Sequence, residues 1–212
     1  MIHSTAIISA EAELAPDVHV GPFAVIEGPV TLGPGCMIHA HAVLRGPLLM
    51  GARNAVHPHV TLGDWPQDRK FKGEPTRTVI GDDNIFREGT TIHRATGHAA
   101  AGSAAAPPQT TVGSRCYFMV NAHVGHNCAV ADEVTLVNGA ALGGHVSVGT
   151  GAIIGAYSAS HQYVRVGRLA MISNGADMNA DRPLFFISRG TNTVTQLNTR
   201  GLRRSGMSLE AI

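Results

Sequence analysis

Large aliphatic residues recur every six positions along this chain. From Ile2 they run through Ile8, Leu14, Val20, Ile26, Leu32, Ile38, Leu44, Met50, Val56 and Leu62. The phase returns at Ile80, Phe86 and Ile92, is lost, and resumes shifted at Val112, Phe118, Val124, Val130, Leu136, Leu142, Val148 and Ile154. Ser160 interrupts it, and Val166 and Ile172 restore it. Four residues after most of these positions comes a small or β-branched one, as at Ala122, Cys128, Val134, Ala140 and Val146. Glycine often follows the aliphatic residue directly. A period of six fits one short strand and one turn per repeat, stacked as a solenoid. A β-sandwich would space its strands by about 8–12 residues, which this pattern does not do.

The fold expected is therefore an all-β solenoid, a left-handed parallel β-helix of hexapeptide repeats with three hexads per coil, over residues 1–180. From about residue 181 the hexads stop, with Pro183 at the boundary, and 181–212 is expected to begin a short, truncated C-terminal helical segment. Within it, "SLEAI" opens like a helix with Ser208 as its N-cap, and the chain reaches Ile212 barely into that helix. Two segments break the repeat. Residues 63–79 keep the six-residue count but carry the sole Trp, several charges and two prolines, as a loop thrown out from the prism would. Residues 95–111 add two residues to a whole coil and predict a flexible Ala/Pro-rich bulge. So thin a prism buries little, which predicts a homotrimer packed side by side, with the 63–79 loop crossing to a neighbour.

Composition narrows the function classes. A formal net charge of +1 gives no bulk electrostatic case for nucleic acid or an anionic membrane. The first residues lack a basic segment followed by a long apolar one, and no apolar run is long enough to span a bilayer. A cytoplasmic protein is expected. Cys36, Cys116 and Cys128 all fall on the small inward register and read as core filler, not as a disulfide framework or reactive groups.

Candidate chemistry lies in the histidines. Residues 18 apart should stack about 4.8 Å from one another, as neighbouring strands do. His126 then lies under Gly144, beside His145, and under Gln162, beside His161. Histidines gathered on a rigid edge can hold a polar substrate and supply a general base near neutral pH. The competing reading is a solvated edge of polar turns. His39 with His57, and His41 with His59, are also 18 apart. They could gather four imidazoles for zinc, but a ladder of turn histidines explains them as well, and no metal site or cofactor is assigned.

Several segments resemble the UDP-N-acetylglucosamine O-acyltransferase family that begins lipid A biosynthesis. "PQDRKFKGEPTRTVIGDDNIFREGTTIHRAT" resembles its inserted loop and the coil after it, and "MVNAHVGHNCAV" its catalytic segment. "GGHVSVGTGAIIGAYSASHQYVRVG" and "GLRRSGMSLEAI" resemble its later coils and the start of its C-terminal helices. The resemblance implies that a 3-hydroxyacyl chain passes from acyl carrier protein to the 3-hydroxyl of UDP-N-acetylglucosamine, in a trimer with sites between subunits. It implies His126 as general base and Gly144 as the backbone donor to the oxyanion. Asp68, Lys70, His123, His145, His161, Gln162, Asn198 and Arg204 fall at substrate-contacting positions. Asn174 falls where an acyl-chain ruler is expected; an amide bulkier than glycine there implies a preference for chains shorter than 14 carbons. This chain departs from the family with Asn127 where many members carry Asp, and Ser205 where many carry Arg. Two other readings stand beside this one: acylation of an amino-sugar nitrogen, and a non-catalytic prism that binds a sugar nucleotide.

Overall fold

The computed structural model describes residues 1–97 and 107–208. Short parallel strands stack into three sheets of nine, eight and ten strands among the described residues. Each sheet is one face of a triangular prism, and consecutive strands pass from face to face. The nine-stranded face carries His123–Val124 between Thr91–His93 and Ala141–Leu142. Ala129–Val130 and Ser147–Val148 lie on the eight-stranded face, and Thr135–Leu136 and Ile153–Ile154 on the ten-stranded one. Pairing in register links Val124 to Leu142 and Leu142 to Ser160, the 18-residue stacking expected from three hexads per coil.

The hexad period becomes structure because the aliphatic residue of each repeat points into the prism. Val124, Leu136, Leu142 and Ile154 are fully buried, and the second inward register is filled by Ala122, Cys128, Ala140 and Ala152. Phe86 and Phe118 fill a wider level with rings stacked 5.0 Å apart. Beyond the first coil, many corners turn on a residue in the left-handed region. Asn127, His145 and Tyr163 have φ of 59°, 61° and 66° on one edge, and Arg53, Asp83 and Arg115 have 55°, 58° and 58° on another. That conformation costs a non-glycine residue roughly 1 kcal/mol. Bonds to the corner one coil below hold it, His145 N donating to His126 O at 2.9 Å and Tyr163 N to Gly144 O at 3.0 Å.

Both irregular segments leave from one edge, between the nine- and eight-stranded faces. Leu62 pairs with Ile92, 30 residues on, and Thr91 with His123, 32 residues on. The 63–79 segment thus preserves the hexad phase but not the stacking: Ile80 lies on the next face, paired with Met50. The 95–111 segment likewise replaces a single corner. Of the expected flexible bulge, residues 98–106 fall outside the described residues. Crossings past residues 125–127, 143–145 and 161–163 use this same edge.

The C-terminal region departs from expectation. Phe186–Arg189 continues the ten-stranded face beyond Met171–Ile172 and turns into an antiparallel hairpin with Thr193–Leu197. A helix follows at Thr199–Arg204, earlier than the one expected from Ser208, whose residues 209–212 lie outside the described set. Among the described residues no helix is long and apolar enough to cross a membrane.

Candidate active site

Two cavities meet at His126. One, of about 270 Å³, is lined by Gln67, His93, His123, His126, Gly144 and Gln162, with Ala141, Leu142, Ala159 and Ser160 on its floor. The other, of about 430 Å³, is lined by the loop residues Gln67, Asp68, Arg69 and Lys70 together with Thr96, His126, His145, Gln162 and Tyr163. The first wall is mainly apolar, and the second offers two cations and several neutral donors.

The geometry around His126 defines the tautomer of its neutral ring. Its Nδ1 lies 2.8 Å from Asn127 Oδ1. That oxygen already accepts from Thr96 N at 2.9 Å and Thr96 Oγ1 at 3.0 Å, so it is an acceptor toward His126 as well. Nδ1 therefore carries the proton, and Nε2 presents its lone pair. The imidazole lies directly against Gly144, where a Cβ would come within 2.6 Å of both Cε1 and Nε2. His145 stands edge-on to His126 at 5.2 Å and stacks on Tyr163 at 4.5 Å.

Gly144 is placed to donate outward. The carbonyl of Gly143 accepts from Cys128 Sγ inside the prism at 3.1 Å. The peptide between Gly143 and Gly144 is trans. In a trans peptide N–H and C=O point in opposite directions, so the Gly144 N–H points away from the core. At a few corners the outward N–H is capped by a side chain one coil above. Ala52 N donates to Asp82 Oδ1 at 2.7 Å, Ser114 N to Asp132 Oδ1 at 2.8 Å, and Ala156 N to Asn174 Oδ1 at 2.9 Å. The Gly144 N–H has no such cap among the described residues.

His123 and His93 are buried neutral bases beside this centre. Burial, with His93 and His126 nearby, pushes His123 down to about 4. Burial also lowers His93, although the Trp65 carbonyl opposes it. His123 Nδ1 meets Thr91 Oγ1 at 2.8 Å, and His93 Nδ1 donates to Trp65 O at 2.6 Å. The loop above is anchored by Arg94, which is nearly buried. Its guanidinium lies 5.9 Å from the Trp65 ring and 5.6 Å from the Phe71 ring, and it donates to Gly46 O at 2.8 Å.

Of the residues expected from the sequence, the structure brings His123, His126, Gly144, His145, Gln162, Asp68 and Lys70 together. Asp68 and Lys70 line the cavity of their own chain's His126. His161 is exposed and lines neither cavity; its Nδ1 lies 3.3 Å from Gln162 O. Arg204 and Asn198 line a separate cavity of about 400 Å³ with Leu169, Met171 and Glu133, around another edge. Asn198 is the helix N-cap: its Oδ1 accepts from Gly201 N at 3.1 Å and its Nδ2 donates to Leu169 O at 2.9 Å. Its amide is thus occupied by the fold. Asn174 is exposed and its oxygen caps Ala156, so the buried, unpaired amide expected there is not present.

His93, Gln67, Thr96 and Tyr163 also belong to the site but carry no role in the sequence reading. Tyr163 follows His145 by 18 residues and was within reach of the stacking rule; His93 lies beyond an insertion that hides its edge-on contact with His123. The histidine pairs near the N-terminus do stack, His39 on His57 at 5.0 Å and His41 on His59 at 5.1 Å.

A family model for the bacterial transferase hexapeptide (six repeats) matches residues 2–46. The chain is 46% identical over 213 residues to the acyl-[acyl-carrier-protein]–UDP-N-acetylglucosamine O-acyltransferase of Pseudomonas paraeruginosa, covering 100% of this chain and 80% of that relative. The solved structure of LpxA from Acinetobacter baumannii matches with a TM-score of 0.92 at 35% identity, over 98% of this chain and 78% of that one. UDP-N-acetylglucosamine O-acyltransferase from Moraxella catarrhalis matches with a TM-score of 0.91 at 30% identity, over 99% and 79%.

Proposed function

The chain belongs to the acyl-[acyl-carrier-protein]–UDP-N-acetylglucosamine O-acyltransferase family, and from that premise we propose how its own residues carry the transfer that begins lipid A biosynthesis. The sugar 3-hydroxyl hydrogen-bonds to His126 Nε2. As its oxygen attacks the thioester carbonyl of the 3-hydroxyacyl chain, His126 takes the proton. The carbonyl oxygen becomes an oxyanion at the Gly144 N–H. Collapse expels the carrier thiolate, and the proton on His126 passes to that sulfur. Acid, base and leaving group then balance with no metal or cofactor.

One observation carries this reading: His126, fixed with a bare Nε2, stands directly over Gly144, whose outward N–H has no hydrogen-bond partner among the described residues. Arg69 and Lys70 suit the diphosphate of the sugar nucleotide in the larger cavity. The apolar floor of Ala141, Leu142 and Ala159 suits the start of the acyl chain. That chain would run across the nine-stranded face toward the edge bearing Asn174, whose capped side chain is held in one place and limits length by bulk. A hydroxyl nucleophile is favoured over an amine because the relatives' names specify an O-acyltransferase.

We place the enzyme in the cytoplasm as a homotrimer. Arg204 lies around another edge from His126, so it can serve a site only if that site belongs to a neighbouring copy. The test is transfer from 3-hydroxyacyl carrier protein to UDP-N-acetylglucosamine. The native chain should transfer, and His126→Ala should fall by about 10²–10⁴-fold, the usual contribution of a general base. A folded His126→Ala that turns over at the native rate would overturn the assignment.

A further inference from the structure

Three buried thiols make the same bond. Sγ of Cys36 lies 3.1 Å from Gly51 O, that of Cys116 3.1 Å from Ala131 O, and that of Cys128 3.1 Å from Gly143 O. In each case an inward thiol clasps the corner of the coil above it. Cys128 is fully buried. Burial holds its thiol up at about 12, so it is an S–H donor at any working pH. At Cys36 the clasped peptide turns outward the N–H of Ala52, which Asp82 consumes at 2.7 Å. At Cys128 the clasped peptide turns outward the N–H of Gly144, beside His126.

A second side chain grips the same corner from within. Ser160, which breaks the aliphatic register, is nearly buried, and its Oγ accepts from Gly143 N at 3.1 Å. The Ser160 carbonyl accepts the same N–H at 3.2 Å. The Gly143 corner is therefore held at both its N–H and its C=O from inside the prism. An aliphatic residue at 160 would supply only the backbone part of that grip.

We propose that Cys128 is a positioning residue for acyl transfer: its S–H, bonded to Gly143 O, orients and polarises the peptide whose other end is the oxyanion-donating N–H of Gly144. A hydrogen bond accepted at one end of an amide strengthens the donor at the other, because the peptide dipole is shared. Fixing the peptide also removes the reorganisation that would otherwise accompany charge development. The same bond that closes ordinary corners thus acts on chemistry where the outward N–H is left open. The inference rests on Gly144 N–H being the oxyanion donor.

The experiment compares Cys128→Ser, which keeps a donor, with Cys128→Ala and Cys128→Val, which do not. Val already occupies the equivalent inward position at Val134 and Val146, so the fold has room for it. Cys36→Ala and Cys116→Ala serve as controls, since they lose the same clasp at corners remote from His126. Loss of the whole donor would cost about 10²–10³-fold in kcat. Loss of one bond in a chain, worth about 10–30% of its neighbour's strength, should cost about two- to ten-fold. We expect that loss in kcat for Cys128→Ala and Cys128→Val with KM for both substrates unchanged, recovery in Cys128→Ser, and native kcat in both controls. Native kcat in a Cys128 variant lacking the donor, equal loss in Cys128→Ser, or the same loss in the controls would overturn the proposal. If the native enzyme itself fails to transfer the acyl chain, the functional reading falls, and this inference with it.

Discussion

Gly144 has no space for a side chain, and the reason is His126. A methyl there would press to 2.6 Å of the ring's Nε2, the atom that takes the proton in the proposed transfer. Gly144→Ala should displace the imidazole and the oxyanion donor together and lower kcat by about 10²-fold or more, the scale of losing an oxyanion donor; stopped assays at saturating substrates would read it. His123 makes a pH prediction. Its folded value near 4 lies below its ordinary 6.5. The unfolded chain therefore binds more protons between those values, and stability falls as pH drops through 6.5 toward 4. The full loss from this residue is about 3 kcal/mol at pH 4. Urea denaturation at pH 7, 5.5 and 4 should show the decline, and His123→Gln should flatten it; equal slopes in both would contradict the assignment. That His126 and Gly144 stand together was legible because 18-residue stacking is simple geometry. The work of the asparagines was not. Asn127 fixes a tautomer, Asn174 caps a corner and Asn198 caps a helix, and each depends on where an amide points once the coil is closed.

The corner is the repeating unit of function as well as of fold. Aliphatic spacing in the sequence reveals most straight segments of the prism, because an inward residue is usually apolar; Ser160 is an inward exception. It does not reveal which corner an insertion replaces. The 63–79 segment keeps the six-residue phase, so Ile80 reads as the next repeat in line although it sits one face away from Leu62. That placement matters, since it brings Gln67 through Lys70 over His126. Arg94 holds the loop there between Trp65 and Phe71, and its loss leaves Gly46 O without that donor. Arg94→Ala should therefore open the loop to trypsin at Arg69, Lys70 and Lys72 and raise KM for the sugar nucleotide, while the prism keeps its circular dichroism. Unchanged cleavage would show that the loop holds itself. At the opposite edge of the nine-stranded face, Asn174→Gly removes a side chain fixed by Ala156 N. It should shift the preferred donor to a longer acyl chain in a chain-length series, and an unchanged profile would place the ruler elsewhere.

At the scale of the whole molecule, the cavities at His126 and the cavity at Arg204 lie on different edges of one chain. His126 and its two cavities occupy the edge between the nine- and eight-stranded faces. Arg204 lines a cavity with Glu133, Leu169 and Met171 around the edge between the eight- and ten-stranded faces. Arg203 and Arg204 close a short helix whose N-cap, Asn198, also donates to Leu169 O, so this region is tied to its own prism and does not swing across. The ten-stranded face beside it exposes Met37, Ile85 and Met171, apolar side chains that a second prism would cover. In the proposed side-by-side trimer the Arg204 edge of one copy would face the His126 edge of the next. Sedimentation should therefore give a trimer at micromolar concentration. Sharing of the site has a sharper consequence. His126→Ala and Arg204→Ala should each be nearly inactive alone, the first in kcat and the second in KM for the sugar nucleotide. Unfolded together and refolded as mixed trimers, they should regain activity, because some interfaces then pair an intact His126 edge with an intact Arg204 edge. If the mixture stays as inactive as its parents while sedimenting as a trimer, the two residues serve the same chain's site or different sites altogether.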